Sequence, residues 1–218
     1  MELNQIQQYL NSPDAQNRMK AIVELRNYSP AVVVPLLKQR MYDRELLIRS
    51  FVAIGLGKKQ NEEAFDALLD IIEYDRDHNV IAEAANSLAH YGERAIPYLV
   101  RLFQQKPHWL VRQSILAALE GEDYPETLLQ LCVWGLEGDD LVVKLGAIAC
   151  LNQLATTSKA SAALDLLLNL INSEQVEIRA QVARTLHAFN CLDAKTALAK
   201  LRQDSDYRVV GATLEGLI

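Results

Sequence analysis

The sequence predicts an all-α protein, a solenoid of about seven stacked helical hairpins containing about fourteen helices. Two observations predict this fold class. A leucine recurs along the chain, and small or apolar residues precede it at helical spacings. A second apolar row lies nineteen residues before each leucine, where another helix fits. Helices this short cannot bury their apolar faces alone, so successive hairpins must stack.

The recurring leucine marks the end of the second helix of each predicted hairpin. Successive leucines are separated by 31, 32, 31, 32, 35 and 31 residues. They are Leu25, Leu56, Leu88, Leu119, Leu151, Leu186 and Leu217. Eight residues before each of them stand Asn17, Ile48, Val80, Val111, Val143, Ile178 and Val209. These spacings place both rows on one face of a helix.

The first helix of each hairpin has its own apolar row, and short polar turns separate the hairpins. The row consists of Ile6, Leu37, Leu69, Val100, Cys132, Leu167 and Leu198. The predicted hairpins are residues 1–30, 31–60, 61–94, 95–123, 124–160, 161–194 and 195–218. We expect them to form one domain that covers residues 1–218.

A basic residue recurs in the second helices, with an acidic residue four positions earlier. The basic positions are Arg18, Arg49, Arg112, Lys144 and Arg179, whereas Ile81 and Val210 interrupt the row. The preceding row is Asp14, Glu45, Asp77, His108, Asp140, Gln175 and Asp206. An acidic residue at a helix start accepts backbone N–H groups, and the basic residue can pair with an acidic one in its own or the adjoining repeat. We predict a structural ladder with either a local break or an altered stacking angle at the third hairpin.

The repeated unit, acidic-x-x-Val-Arg-x-x-Ala-x-x-Ala-Leu, resembles a HEAT-like repeat. Its short period and the first-helix segment Ala95–Val100 (AIPYLV) are most similar to the phycobilisome-lyase type of cyanobacteria. The resemblance covers essentially the whole chain and implies a right-handed α-solenoid. Family members include heterodimeric phycocyanobilin lyases, a phycobilisome-degradation protein, and protein-binding scaffolds such as an iron–sulfur assembly factor.

The resemblance leaves three functions open. The first is a scaffold that binds a protein partner, in a phycobilisome or photosynthesis-related role. The second is a bilin lyase subunit or bilin-handling chaperone for phycobiliproteins. It implies a bilin ligand, with Lys20, Arg184 and the arginine ladder as cationic candidates for its propionates. It also implies a hetero-oligomer with a second HEAT-repeat subunit or a phycobiliprotein. The third is an accessory protein for iron–sulfur cluster assembly.

Composition narrows the classes of partner and compartment. The formal net charge is −6, which disfavours nucleic acid and anionic membranes as partners. The three cysteines form no CxxC pair, which indicates a reducing compartment. Neither a signal peptide nor an apolar run of membrane-spanning length is present, so we expect a cytoplasmic protein that does not insert into a membrane.

The sequence contains no recognisable catalytic motif. GxSxG, HExxH and CxxC are all absent, and the four histidines fall in different repeats. We therefore predict no catalytic residue and no cofactor; an enzymatic role would be that of a phycobilin lyase subunit. His187 and Cys191 have a spacing that could place both on one side of a metal or cluster site. Two ligands are too few, and we predict no metal site.

The second helices are predicted to line the concave surface and to carry the binding site. Their candidate solvent-facing residues are Leu47, Phe51, Ile54, Glu83, Asn86, Leu110, Val142 and Arg184. Trp109, at the start of a second helix, is a further candidate. Exposed apolar and aromatic side chains indicate a protein partner. Two alternatives remain open: these residues pack between repeats if the helical phase is shifted by one position, and Trp109 acts as a wedge between two repeats.

Overall fold

A computed structural model describes residues 1–215, which form fourteen α-helices, three short 3-10 segments and no strand. The predicted all-α fold class is confirmed. The final repeat leucine, Leu217, lies outside the described residues. The helices are α1 Leu3–Leu10, α2 Ala15–Glu24, α3 Pro30–Lys38, α4 Leu46–Lys59, α5 Glu62–Tyr74, α6 His78–Ala89, α7 Ile96–Gln105, α8 Trp109–Ala118, α9 Pro125–Glu137, α10 Leu141–Cys150, α11 Ala160–Leu170, α12 Val176–Leu186, α13 Leu192–Leu201 and α14 Tyr207–Ala212.

The chain divides into two compact units, Met1–Ala118 and Leu119–Ile218. Unit 1 contains α1–α8, and unit 2 contains α9–α14. The single domain over residues 1–218 and its seven repeat boundaries stay a prediction.

Within each unit the second helices pack side by side. The first helices from α1 to α11 pack against their own second helices, and α13 packs against α12. In unit 1, the side-by-side helices are α2, α4, α6 and α8. In unit 2, they are α10, α12 and α14. The repeat leucines among the described residues are all buried, because they face the first helices and the neighbouring hairpins. Gly57 allows α4 and α6 to approach closely, since a Cβ there would lie 2.5 Å from the Cβ of Ser87.

The acidic residues at the second-helix starts cap those helices in most repeats. The carboxylates of Asp14, Asp77, Asp140 and Asp206 each accept a backbone N–H from the first turn. His108 replaces them in α8, where its Nδ1 accepts the N–H of Leu110 at 3.3 Å. The predicted cap is wrong at Glu45, whose side chain makes no capping bond. The carboxylate of Asp43 instead accepts the N–H of Glu45 at 3.1 Å.

None of the helices within residues 1–215 combines the length and the apolar character needed to cross a bilayer.

Candidate protein-interaction site

Three arginines of the predicted ladder tie neighbouring hairpins together through two-point ion pairs. Arg18 binds Asp43, with Nε 2.7 Å from Oδ2 and Nη2 2.8 Å from Oδ1. In unit 2, Arg179 binds Asp204 in the same way, at 2.7 and 2.9 Å. Nη1 of each arginine also donates to two backbone carbonyls of its own interhelical turn. One side chain therefore links two consecutive turns. The third pair, Arg49 with Asp75, repeats this geometry.

The acceptor of each ladder arginine differs from the residue predicted from the sequence. The sequence predicts that each arginine pairs with the acidic residue at a helix cap. The observed partner is instead an aspartate two residues before the cap position. It follows the arginine by 25 or 26 residues. The reason is geometric. Asp43 and Asp75 lie in the turn, within reach of the preceding arginine, and their carboxylates also accept the N–H groups of Glu45 and Asp77.

The ladder is interrupted where its donor or its acceptor is missing from the sequence. At the third hairpin Ile81 replaces the arginine, and Lys106 stands at the corresponding acceptor position of the fourth. Both members of this pair are therefore substituted together. Arg112 and Lys144 form no ion pair in the part of the chain that the structure describes, and their ladder role stays a prediction. Gly138 and Ser173 occupy their acceptor positions in the sequence. Arg112 donates instead to the carbonyl of Phe103 at 3.0 Å.

The ion pairs change the pKa values of the residues that form them. Hydrogen bonds from Arg179 hold the pKa of Asp204 below its usual range. Burial by itself raises the pKa of Asp43, but hydrogen bonds from Arg18 and from the N–H of Glu45 outweigh it, and the pKa is lowered. The hydrogen bond to Asp75 raises the pKa of Arg49. The carboxylates of Asp43 and Asp204 are therefore charged at neutral pH, as their pairs require.

The second helices of unit 1 present an apolar surface to solvent. Leu47 is 60% exposed, Phe51 37% and Trp109 43%. The other predicted residues there, Ile54, Glu83, Asn86 and Leu110, are half-buried. The residue that follows Leu47, Ile48, is buried, so the exposed positions follow the helical phase inferred from the sequence. Their role in binding stays a prediction.

Sequence reasoning missed two members of this surface. Val23 of α2 and Leu46 of α4 are exposed apolar residues on the same layer of helices. Leu46 occupies the position in its repeat that Trp109 occupies in the fourth, so the repeat alignment could have identified it. We call the residues Val23, Leu46, Leu47, Phe51, Ile54, Trp109 and Leu110 the second-helix face of unit 1.

Trp109 lies beside a stack of two histidines. The rings of His78 and His108 are parallel, with centroids 3.8 Å apart and an interplanar angle of 7°. The ring of Trp109 lies 6.0 Å from that of His108. Trp109 therefore packs on one side and remains open on the other, as an anchor for a partner requires.

The second helices of unit 2 present a more polar surface. Val142 is exposed, but Arg184 forms a two-point ion pair with Glu215 at 2.8 and 3.0 Å. A second pair joins Arg208 to Glu177 at 3.2 Å. The guanidinium of Arg184, predicted to face a partner or a bilin propionate, is thus already engaged by a carboxylate of the same chain.

The cysteines and His187 do not form a metal site with other residues in the part of the chain described. No group of three or more His, Cys, Asp or Glu side chains within residues 1–215 is placed to hold a metal ion. Cys132 and Cys150 are buried, and burial raises the pKa of Cys150 to about 12 and that of Cys132 well above its usual value. Cys191, at the start of α13, is half-buried.

The chain is an α-helical repeat protein. Its helical hairpins stack, ion pairs join neighbouring hairpins, and its second helices present an apolar surface. Residues 34–120 and 127–218 match the family model for HEAT repeats. The chain therefore belongs to the HEAT-repeat family.

Solved structures resemble the whole chain at low sequence identity. The Escherichia coli protein YibA matches with a TM-score of 0.65 and 16% identity, over 97% of this chain and 80% of that one. The complex of CpcE and CpcF of phycocyanin lyase from Nostoc sp. PCC7120 matches with a TM-score of 0.54 and 23% identity, over 100% and 87% of the two chains. These likenesses show the fold.

A named relative matches part of the chain. Deoxyhypusine hydroxylase-B of Oryza sativa subsp. japonica is 31% identical over 108 residues, which are 49% of this chain. The match spans only 36% of the relative's own length.

Proposed function

We propose that this chain is a non-catalytic HEAT-repeat scaffold that binds a protein partner through the second-helix face of unit 1. The observation that supports this function is the grouping of exposed apolar side chains on adjacent second helices. Leu47, Phe51 and Trp109 supply large apolar areas on α4 and α8, with α6 between them. Burying such side chains against a partner removes apolar surface from water, which drives association.

The rigid support beneath the surface favours the same function. Leu47 and Phe51 flank the buried Ile48 and the ladder arginine Arg49, so the backbone of α4 is held in place. A preorganised surface loses little conformational freedom on binding, and this raises affinity.

Affinity capture with matched variants tests the proposal. The wild-type chain and Leu47→Glu/Phe51→Glu are immobilised and exposed to extract of the source organism, and bound proteins are quantified by mass spectrometry. We expect a partner that the wild type retains and the double variant loses, because two carboxylates would be buried in the interface without counter-charges. Trp109→Ala should weaken capture of the same partner.

Leu192→Glu is the matched control. Leu192 is an exposed apolar residue of unit 2 that lies outside the second-helix face, so its replacement should leave capture unchanged. Circular dichroism would show that the wild type and Leu47→Glu/Phe51→Glu are both folded. If both then capture the same proteins, the proposal is wrong.

A bilin lyase subunit is the second candidate function, with a bilin as its ligand and a phycobiliprotein or a second HEAT-repeat subunit as its partner. The likeness in fold to the CpcE–CpcF complex over the full chain supports it. Lys20 is exposed on α2 and could meet a propionate, whereas Arg184 would first have to leave Glu215. The chain would be incubated with phycocyanobilin, a phycobiliprotein and its second subunit. Absence of both a new visible absorbance band and zinc-induced fluorescence on the phycobiliprotein would exclude this candidate.

A further inference from the structure

The turns of the second and third hairpins of unit 1 carry the same three residues. Tyr42-Asp43-Arg44 connects α3 to α4, and Tyr74-Asp75-Arg76 occurs 32 residues later, at the connection from α5 to α6. The ladder accounts for the middle residue, because each aspartate is the acceptor of a preceding arginine. The ladder does not account for the flanking residues. Tyr42 is 71% exposed and Tyr74 68%, and both following arginines are exposed.

A cleft lies beside each of these turns. The first, of about 300 Å³, is lined by Tyr42, Arg40 and Arg44 together with Ser12 and the Arg18–Asp43 pair. The second cleft, of about 340 Å³, has a partly apolar lining and volume at the lower end of ligand-binding pockets. Its polar wall on α7 and the residue that follows is built from Tyr98, Arg101, Gln105 and Lys106, and Tyr74 closes its end.

In the first cleft the carboxylate of Asp43 is held by Arg18, and Arg40 donates to Oδ1 of Asn11. The carboxylates that line the second cleft, Asp70 and Glu73, are exposed. Arg40, Arg101 and Lys106 take part in no ion pair among the described residues, and Arg44 lies 3.4 Å from Glu45 with both side chains exposed. Lys106 stands at the position where the ladder would place an aspartate. At the break in the ladder, a lysine thus replaces the acceptor aspartate at the edge of the second cleft.

We propose that this turn edge, defined by Arg40, Tyr42, Arg44, Tyr74, Arg101 and Lys106, binds an acidic peptide segment of a partner protein. An arginine fork binds a carboxylate through short, charge-assisted hydrogen bonds. Tyrosine provides a large apolar ring with a hydroxyl group, and it is enriched with arginine at protein interfaces. This surface is separate from the second-helix face and goes beyond the proposed function.

The spacing of the two turns sets the pattern of the peptide. Packed helices lie about 8–10 Å apart, and an extended chain advances about 3.3 Å per residue. The outer cations of the first cleft lie on the second hairpin and those of the second cleft on the fourth, so the two sets are about 16–20 Å apart. Two carboxylates about six residues apart in an extended segment can therefore meet cations of both clefts. Asp70 and Glu73 line the opposite wall of the second cleft and would repel a continuous phosphate backbone. The observations favour a peptide with separated carboxylates over a nucleic acid.

Fluorescence anisotropy with defined probes tests this inference. The probes are a fluorescein-labelled, end-capped peptide Gly-Glu-Leu-Ala-Gly-Ala-Leu-Glu-Gly, its version with both glutamates replaced by glutamine, and a fifteen-nucleotide oligothymidine. At low salt we expect the glutamate peptide to bind at least about ten-fold more tightly than the glutamine peptide, because one lost charge-assisted hydrogen bond has that order of effect. Added salt should weaken binding.

Variants locate the binding site. Arg44→Glu/Arg101→Glu and Tyr42→Ser/Tyr74→Ser should each raise the Kd of the glutamate peptide about ten-fold or more, since each removes contacts in both clefts. Arg202→Glu, a charge reversal at an exposed position of unit 2, and Phe51→Glu on the second-helix face should leave it unchanged. Equal binding of the two peptides, tighter binding of oligothymidine, or an unchanged Kd in the Arg44→Glu/Arg101→Glu variant would each overturn the inference.

Discussion

Arg49 and Asp75 form a two-point ion pair between successive hairpins, with Nε 2.6 Å from Oδ2 and Nη2 3.1 Å from Oδ1. Nη1 of the same guanidinium donates to the carbonyl of Asp43 at 2.9 Å. Asp43 in turn is the acceptor of Arg18. The ladder is therefore continuous across the first three turns of unit 1, and each arginine fixes the position of two turns at once.

Removing one ladder arginine should destabilise the fold. Arg49→Met retains the apolar stem but leaves the carboxylate of Asp75, which is largely shielded from water, without its donor. We expect the free energy of unfolding, measured by urea denaturation, to fall by about 2 kcal/mol, as for other hydrogen bonds to charged groups. Lys38→Met breaks an exposed pair with Glu63 and is the control, with a much smaller loss. Equal losses in the two variants would contradict the structural role of the ladder.

Restoring the missing ladder pair should produce a favourable coupling. Ile81→Arg alone should destabilise the protein, because Ile81 is buried and the new guanidinium would have no acceptor. Lys106→Asp in the same chain should recover part of the loss, with a coupling free energy of about 1–2 kcal/mol in a double-mutant cycle. Additive effects of the two substitutions would show that the turn geometry there cannot form the pair.

Stability should fall in acid as the ladder carboxylates become protonated. The folded-state pKa of Asp204 is lowered by Arg179, so the pair contributes stability above the unfolded-state pKa of about 3.9. That contribution is lost as the pH falls through the folded-state value. Urea unfolding of the wild type and Asp204→Asn should differ at pH 5–7, and the difference should shrink below about pH 4. A difference that does not depend on pH would contradict this assignment.

The three thiols should differ in reactivity. Burial raises the pKa of Cys132 and Cys150 and keeps reagents away, whereas Cys191 is partly accessible. At pH 8 an aromatic disulfide reagent should modify one thiol of the native protein rapidly and the other two only after unfolding. Cys191→Ser should remove the rapid phase. A rapid phase that survives in this variant would show that the region around Cys132 and Cys150 opens readily.

The repeat period alone located the helices and much of the core. Every repeat leucine among the described residues is buried. A helix that recurs every 31 or 32 residues buries the same apolar stripe in each repeat, because each copy packs against the same neighbouring elements. The same alignment placed Leu47 and Phe51 on the outer side of α4. These features depend on local periodicity, which a linear sequence records directly.

Only the tertiary structure assigned the partners of the charged residues. The sequence placed Arg18, Arg49 and Arg179 in a ladder, but not the turn aspartates that accept them, since an ion pair depends on the position of a side chain 25 or 26 residues away. The ion pair between Arg184 and Glu215 could not be inferred from the sequence for the same reason. Sequence thus determined the helical faces of this protein through short-range spacing. Contacts between hairpins decided which charges are neutralised and which, such as Arg101, take part in no ion pair among the described residues.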